Sequence, residues 1–131
     1  MASFSFELVS PDKLVFRGAV DDVLVPGSEG DFQVLADHAP VMTTIRPGIL
    51  AFSEGGKHTR LFVRGGFADV SSTGLIVLAE TTIPVDELSA DRIAGEIKNA
   101  EEDLADASPE GKPRAQEKLD RLRELKDTMK L

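Results

Sequence analysis

The chain has 131 residues, 41% of them hydrophobic, with a formal net charge of −8 and no cysteine. That length suits one domain, or one domain with an appendage, and the missing thiols exclude disulfides and thiolate metal sites. The negative charge disfavours nonspecific attachment to nucleic acid or anionic lipid, and no apolar run approaches the ~20 residues of a membrane helix.

The start, MASFSFELV, lacks the basic n-region of a secretory signal. Phe4, Phe6 and Leu8 alternate with polar Ser5 and Glu7, the period of a half-buried strand. Pro11 and Asp12 mark a turn. Leu14 to Phe16 form a short run closed by Gly18, and Val20 to Val25 another closed by Pro26 and Gly27. Phe32, Val34 and Leu35 follow, then a break at Asp37, His38, Ala39 and Pro40. Val41 to Ile45 end at Pro47 and Gly48, and Ile49 to Phe52 lead to Gly55 and Gly56. Leu61 to Val63 end at Gly65 and Gly66, a tight turn or a bulge. Leu75 to Ala79 is the most continuous apolar stretch. Turn signals every eight to twelve residues or so predict an all-β sandwich or barrel over residues 1–85.

Near residue 85 the pattern changes. Ser89 is placed to cap a helix whose stripe is Ile93, Ile97, Ala100, Leu104 and Ala107. Pro109, Gly111 and Pro113 interrupt it. Ala115, Leu119, Leu122, Leu125 and Met129 then form a second stripe. The short connection predicts an antiparallel two-helix hairpin over residues 86–131. Residues 86–107 carry eight acids and two bases, whereas residues 112–131 carry seven bases and four acids. Glu101, Glu102, Asp103 and Asp106 end the first helix, and Lys112 and Arg114 open the second. The macrodipole disfavours both placements, so opposite charges are expected to meet at the bend. The apolar stripes are thin for the length of chain to be ordered, which predicts a hairpin that needs support and opens readily in salt.

A search for chemistry yields little. Two histidines, His38 and His58, leave no third nitrogen ligand for a cupin-like metal site. His38 with Asp37 or Asp69 permits a drawn Ser-His-Asp set without geometric support. Gly27, Ser28, Glu29 and Gly30 lack the Lys and Ser/Thr of a P-loop, and Glu29 and Asp31 would repel phosphate. The basic second helix has no aromatic residue to stack bases. From the residues alone, the readings are a docking protein, a regulatory adaptor with a switching hairpin, or a small β-sandwich enzyme using His38.

The stretch PGSEGDFQVLADHAPVMTTIRPG, Pro26 to Gly48, resembles the signature region of the epsilon subunits of bacterial F-type, proton-translocating ATP synthases. FVRGGFADV (Phe62 to Val70) and LIVLAE (Leu75 to Glu80) are similar to the next two family blocks, in order and spacing. The resemblance implies an α+β, mainly β fold: a ten-stranded β-sandwich followed by an antiparallel helical hairpin. It implies a non-catalytic rotor subunit joining the c-ring to the gamma shaft, with no cofactor and no insertion into the membrane. It places the protein peripherally on the cytoplasmic face of the bacterial plasma membrane, an expectation that the lack of a targeting presequence favours.

Under this resemblance, Gly27, Ser28, Glu29, Gly30 and Asp31 match the loop facing the c-ring. His38, Ala39, Pro40 and Thr43 match the region near gamma. In many members the hairpin regulates ATP hydrolysis by extending toward the alpha and beta subunits. Nucleotide-binding members carry Ile/Leu-Asp-x-x-Arg-Ala at the first helix. Here the run is Val85, Asp86, Glu87, Leu88, Ser89, Ala90. Asp86 and Ala90 are kept, but Ser89 replaces the arginine and removes its charged donor, which argues against ATP binding.

Overall fold

Alternating Phe4, Phe6 and Leu8 form a strand, β1 (Phe4–Val9), with Phe6 and Leu8 fully buried. The computed structural model describes residues 2–131. Seven further strands follow: β2 (Leu14–Val20), β3 (Asp22–Gly27), β4 (Gly30–Val34), β5 (Val41–Thr44), β6 (Gly48–Glu54), β7 (Lys57–Ser71) and β8 (Gly74–Pro84). They pair in the order β2-β1-β8-β7-β6-β3-β4, with β5 also on β7. All pairs are antiparallel except β1 with β8, which is parallel. The two chain ends of this unit thereby lie side by side in one ladder.

The sheet folds over on itself. In a flat sheet, β2 and β6 would lie about 19 Å apart, four spacings of ~4.8 Å. Yet the rings of Phe16 on β2 and Phe52 on β6 have centroids 4.5 Å apart. Phe6 on β1 meets Phe52 at 5.3 Å, edge to face. These aromatics, with Val23, Val25, Leu50, Val63 and Val77, form the core between two layers.

Eight strands form where ten were expected. The difference lies in β7 and β8, which are 15 and 11 residues long. Leu61 to Val63 do not end at a turn, and Leu75 to Ala79 do not end the second strand. Each strand runs through both layers. β7 pairs with β6 over Lys57–Val63 and with β5 over Phe67–Val70. Gly65 and Gly66, with φ of 73° and 98°, make the bend between these halves. It is neither a tight turn nor a bulge, because the β7–β8 register is the same on both sides, Arg64 opposite Thr81 and Gly66 opposite Ala79. The core members change from Leu61 and Val63 to Ala68 and Val70. The two-residue period breaks at these glycines, which is why the strand looked finished there. A Cβ on Gly66 would collide with the carbonyl oxygen of Leu78.

The chain divides into two compact units, Met1–Val85 and Asp86–Leu131. The second opens with a 3-10 turn, Val85–Glu87, followed by α1 (Ala90–Asp106) and α2 (Lys112–Thr128). Ile93, Ala100, Leu119, Leu122 and Leu125 are its buried stripe residues. The charge pairing at the bend is sparser than expected. Lys112 Nζ donates to the Leu104 carbonyl oxygen at 3.3 Å, serving the negative end of the α1 dipole. Glu101 pairs with Arg123 at 3.3 Å, with both side chains about half exposed. Such a pair contributes only ~0–1 kcal/mol.

Two glycines should respond in opposite ways to alanine. Gly66→Ala forces a backbone collision and is expected to cost more than about 4 kcal/mol. Gly95 lies inside α1 with open space around it, and Gly95→Ala should stabilise by roughly 0.5–1 kcal/mol. Denaturant unfolding followed by circular dichroism would compare the two.

Candidate functional site

β3 and β4 are joined by a two-residue turn, with Gly27 paired to Gly30 and Ser28 and Glu29 at the tip. The turn needs glycine at both ends. Gly30 has φ 131°, and a Cβ on Gly27 would stand 2.9 Å from the Phe32 ring. The tip is fastened to the segment containing β5. Ser28 N donates to the Thr44 carbonyl oxygen at 2.9 Å, and Arg46 N to that of Pro26 at 2.9 Å. The Ser28 and Thr43 hydroxyls lie 3.2 Å apart. Arg46 Nη2 donates to Asp31 Oδ1 at 3.1 Å, so this acid is already partnered.

The segment from His38 follows a left-handed residue, Asp37, with φ 68°, a conformation that aspartate tolerates. His38 N donates to the Leu35 carbonyl oxygen at 3.1 Å. Its Nδ1 lies 2.6 Å from the Ala39 carbonyl oxygen. A carbonyl oxygen only accepts, so Nδ1 is the donor in this contact. The His38 ring stands 6.1 Å from Phe32. Among the described residues no carboxylate bonds this histidine, whose ring is held by the Ala39 carbonyl, so the triad drawn from Asp37 or Asp69 does not form there. His58 sits elsewhere, exposed on β7 opposite Ser53. No cluster of three metal-ligating side chains occurs among the described residues.

The turn Gly27–Asp31 and the His38–Thr43 segment, read separately from sequence, border one shallow groove of about 320 Å³. Gly27, Gly30, Phe32, Ala39, Pro40 and Val41 line it together with polar Glu29, His38 and Thr43. Asp31 stands beside it through Arg46. Sequence reading missed Phe32, Val41 and Arg46. Val41 belongs to the run Val41 to Ile45, in which only Ile45 is buried, and Val41 and Met42 are 39% and 66% exposed. A strand whose side chains are exposed or only partly buried suits contact with another protein.

Asp86, Ser89 and Ala90 lie in the second unit. Asp86 is in the 3-10 turn, and Ala90 is the first residue of α1. Ser89 is the N-cap, its Oγ accepting from Arg92 N at 3.2 Å. The position where nucleotide-binding members keep arginine is thus occupied here by a helix cap.

Residues 3–85 match a sequence model described as the ATP synthase delta/epsilon chain β-sandwich domain. A protein of Parvibaculum lavamentivorans called ATP synthase epsilon chain is 52% identical over 127 residues, covering 95% of this chain and 96% of that one. The chain belongs to the ATP synthase epsilon-chain family. An ATP synthase epsilon chain of Rhodopseudomonas palustris is 47% identical over 125 residues, covering 95% and 93% of the two chains. Among solved structures, a chain of the Euglena gracilis mitochondrial ATP synthase, in an OSCP/F1/c-ring assembly, matches with a TM-score of 0.74 at 23% identity. It covers 98% of this chain and 82% of its own. A chain of the Tetrahymena thermophila mitochondrial ATP synthase central stalk and c-ring matches with a TM-score of 0.60 at 13% identity, over 70% and 73%. At these identities the structural matches speak for the fold alone.

The Ser89 cap yields a paired expectation. Ser89→Ala should cost about 1 kcal/mol of hairpin stability in denaturant unfolding. Titration of ATP into the full chain in a calorimeter should give no saturable binding, and micromolar affinity would contradict the assignment of Ser89 to capping alone.

Proposed function

We propose that this chain is the epsilon subunit of a proton-translocating ATP synthase, a non-catalytic rotor component that couples the c-ring to the gamma shaft. The observation that carries the reading is the 52% identity to an ATP synthase epsilon chain along nearly the whole of both chains. The groove supports it, because it joins the two segments that resemble the c-ring and gamma contacts and leaves them accessible.

In this reading the sandwich transmits torque by contact. Its doubly layered ladder supplies rigidity, since β7 and β8 belong to both layers and resist shear between them. Glu29 at the tip presents a free acceptor to polar c-ring loops. Pro40, Val41 and Phe32 offer apolar area to gamma, and burying one such side chain fully is worth ~1.5–3 kcal/mol. No helix among the described residues is long and apolar enough to cross a membrane. Attachment is proposed to run through the c-ring, peripherally, at the cytoplasmic face of a bacterial plasma membrane. The hairpin is proposed as a regulatory arm that extends toward the alpha and beta subunits, held by few surface ion pairs and thus opened by salt.

Removing residues 87–131 should leave complex assembly and proton-coupled ATP synthesis largely intact, because the proposed docking groove lies in the first unit. Val41→Asp, which charges the groove wall, should reduce co-purification with gamma, whereas Gly95→Ala should not. A truncated complex that fails to assemble, or a Val41→Asp chain that co-purifies at the wild-type level, would count against the proposal.

A further inference from the structure

The β3–β4 hairpin carries two acids near its tip, Glu29 and Asp31, and they stand in different surroundings. Glu29 is exposed and has no hydrogen bond or ion pair among the described residues. Asp31 is held by Arg46, Nη2 to Oδ1 at 3.1 Å. Arg46 lies outside the hairpin, just after β5. Register explains its reach. Arg46 N donates to the Pro26 carbonyl oxygen, and Pro26 is paired with Asp31. The three residues thus form one row, and the arginine side chain has to cross Pro26 to meet Asp31. Pro26 is buried, whereas Leu24, two residues back on the same strand face, is 37% exposed.

This placement is not the one that stability alone would select. Arg46 Nε is shut off from solvent and bonds no atom among the described residues. A buried donor without an acceptor destabilises a fold. An apolar side chain of similar length would cover Pro26 without that penalty. What the guanidinium adds is a charged tether across β3. It fastens the β4 side of the tip, while Ser28 N, bonded to the Thr44 carbonyl oxygen at 2.9 Å, fastens the β3 side. The tether also cancels the Asp31 charge, so the tip shows one excess carboxylate, that of Glu29.

We propose that Arg46 is a positioning residue for the rotor contact: it fixes the orientation of the tip and leaves Glu29 as the one net charge offered there. The proposal rests on the reading of the chain as a rotor subunit whose β3–β4 turn meets the c-ring. A second free acid would have to be desolvated at the contact without a partner of its own. A loose tip would have to be ordered each time the contact forms. The Arg46–Asp31 pair removes both penalties before the partner arrives.

Two measurements test this. In the isolated full chain, amide hydrogen exchange followed by NMR reports on the Ser28 hydrogen bond. Arg46→Met keeps the cover over Pro26 and removes the tether. It should leave the denaturation midpoint near that of the wild type and speed Ser28 exchange about threefold, the size expected from losing one partly exposed pair. Asp31→Asn should do the same, and the double variant should exchange no faster than either alone. Asp31→Asn carries this arm if Arg46→Met melts early. In the reconstituted synthase, the contact is read as proton pumping per ATP hydrolysed. Arg46→Met, which leaves two free acids, should lower pumping severalfold, and the double variant, which restores a single one, should recover part of the loss. Glu29→Gln should lower pumping with Ser28 exchange unchanged. Wild-type exchange in both single variants of the pair, wild-type pumping in Arg46→Met or Glu29→Gln, or a double variant with no recovery overturns the proposal while the rotor reading stands. If the wild-type chain fails to assemble with gamma and the c-ring, both fall.

Discussion

The continuous β7–β8 ladder is the constraint on which the rest of the first unit depends. It keeps one register from Leu61 opposite Pro84 to Ser71 opposite Gly74. To do so while passing from one layer to the other, it must bend without slipping. Gly66 allows this by bringing its backbone against the Leu78 carbonyl, where any side chain would collide. The bend frees the second half of β7 from β6 and offers it to β5. Without it, β5 would have no strand to pair with, and the His38–Thr43 segment would not be carried to the β3–β4 turn.

β5 is the consequence that matters for function. Its four residues are exposed or only partly buried. It is held by hydrogen bonds to β7 on one side and by the Ser28–Thr44 and Gly27–Ile45 contacts near its end. A strand fixed at its backbone and bare on both faces positions side chains well without using them for its own stability. That is a fitting arrangement for a rigid contact surface, because binding need not first order the segment.

Much of this was legible in the sequence because it rests on local rules. The alternation in β1, the turn at Gly27–Gly30, the Ser89 cap and the proline-glycine break between α1 and α2 all follow from residue preferences that act within a few positions. The split of β7 and β8 into shorter runs failed for a physical reason. Paired glycines usually end a strand, and here they bend one, a distinction decided by β8 alongside and not by the residues themselves. The groove was half legible. Its two segments were found separately, but Phe32 and Val41 were read only as members of apolar strand runs, and it is the contact of Ser28 with Thr43 and Thr44, 15 and 16 positions on, that brings their segments to one open surface.

The two units are built on different principles. The first buries aromatic and β-branched side chains from seven strands in a common core, so a perturbation in one strand is felt by the others. The second has two helices whose buried residues are few and aliphatic, a bend fixed by Ser108 and by one lysine on a carbonyl, and surface ion pairs such as Glu101–Arg123 and Arg121–Glu124. Interactions of that kind are individually small and weakened by salt. Under the proposed rotor reading, a part that turns within a shaft gains from rigidity where load passes, whereas a hairpin proposed as a regulatory arm needs closed and open forms of similar free energy. The distribution of core between the units meets both requirements within a single chain.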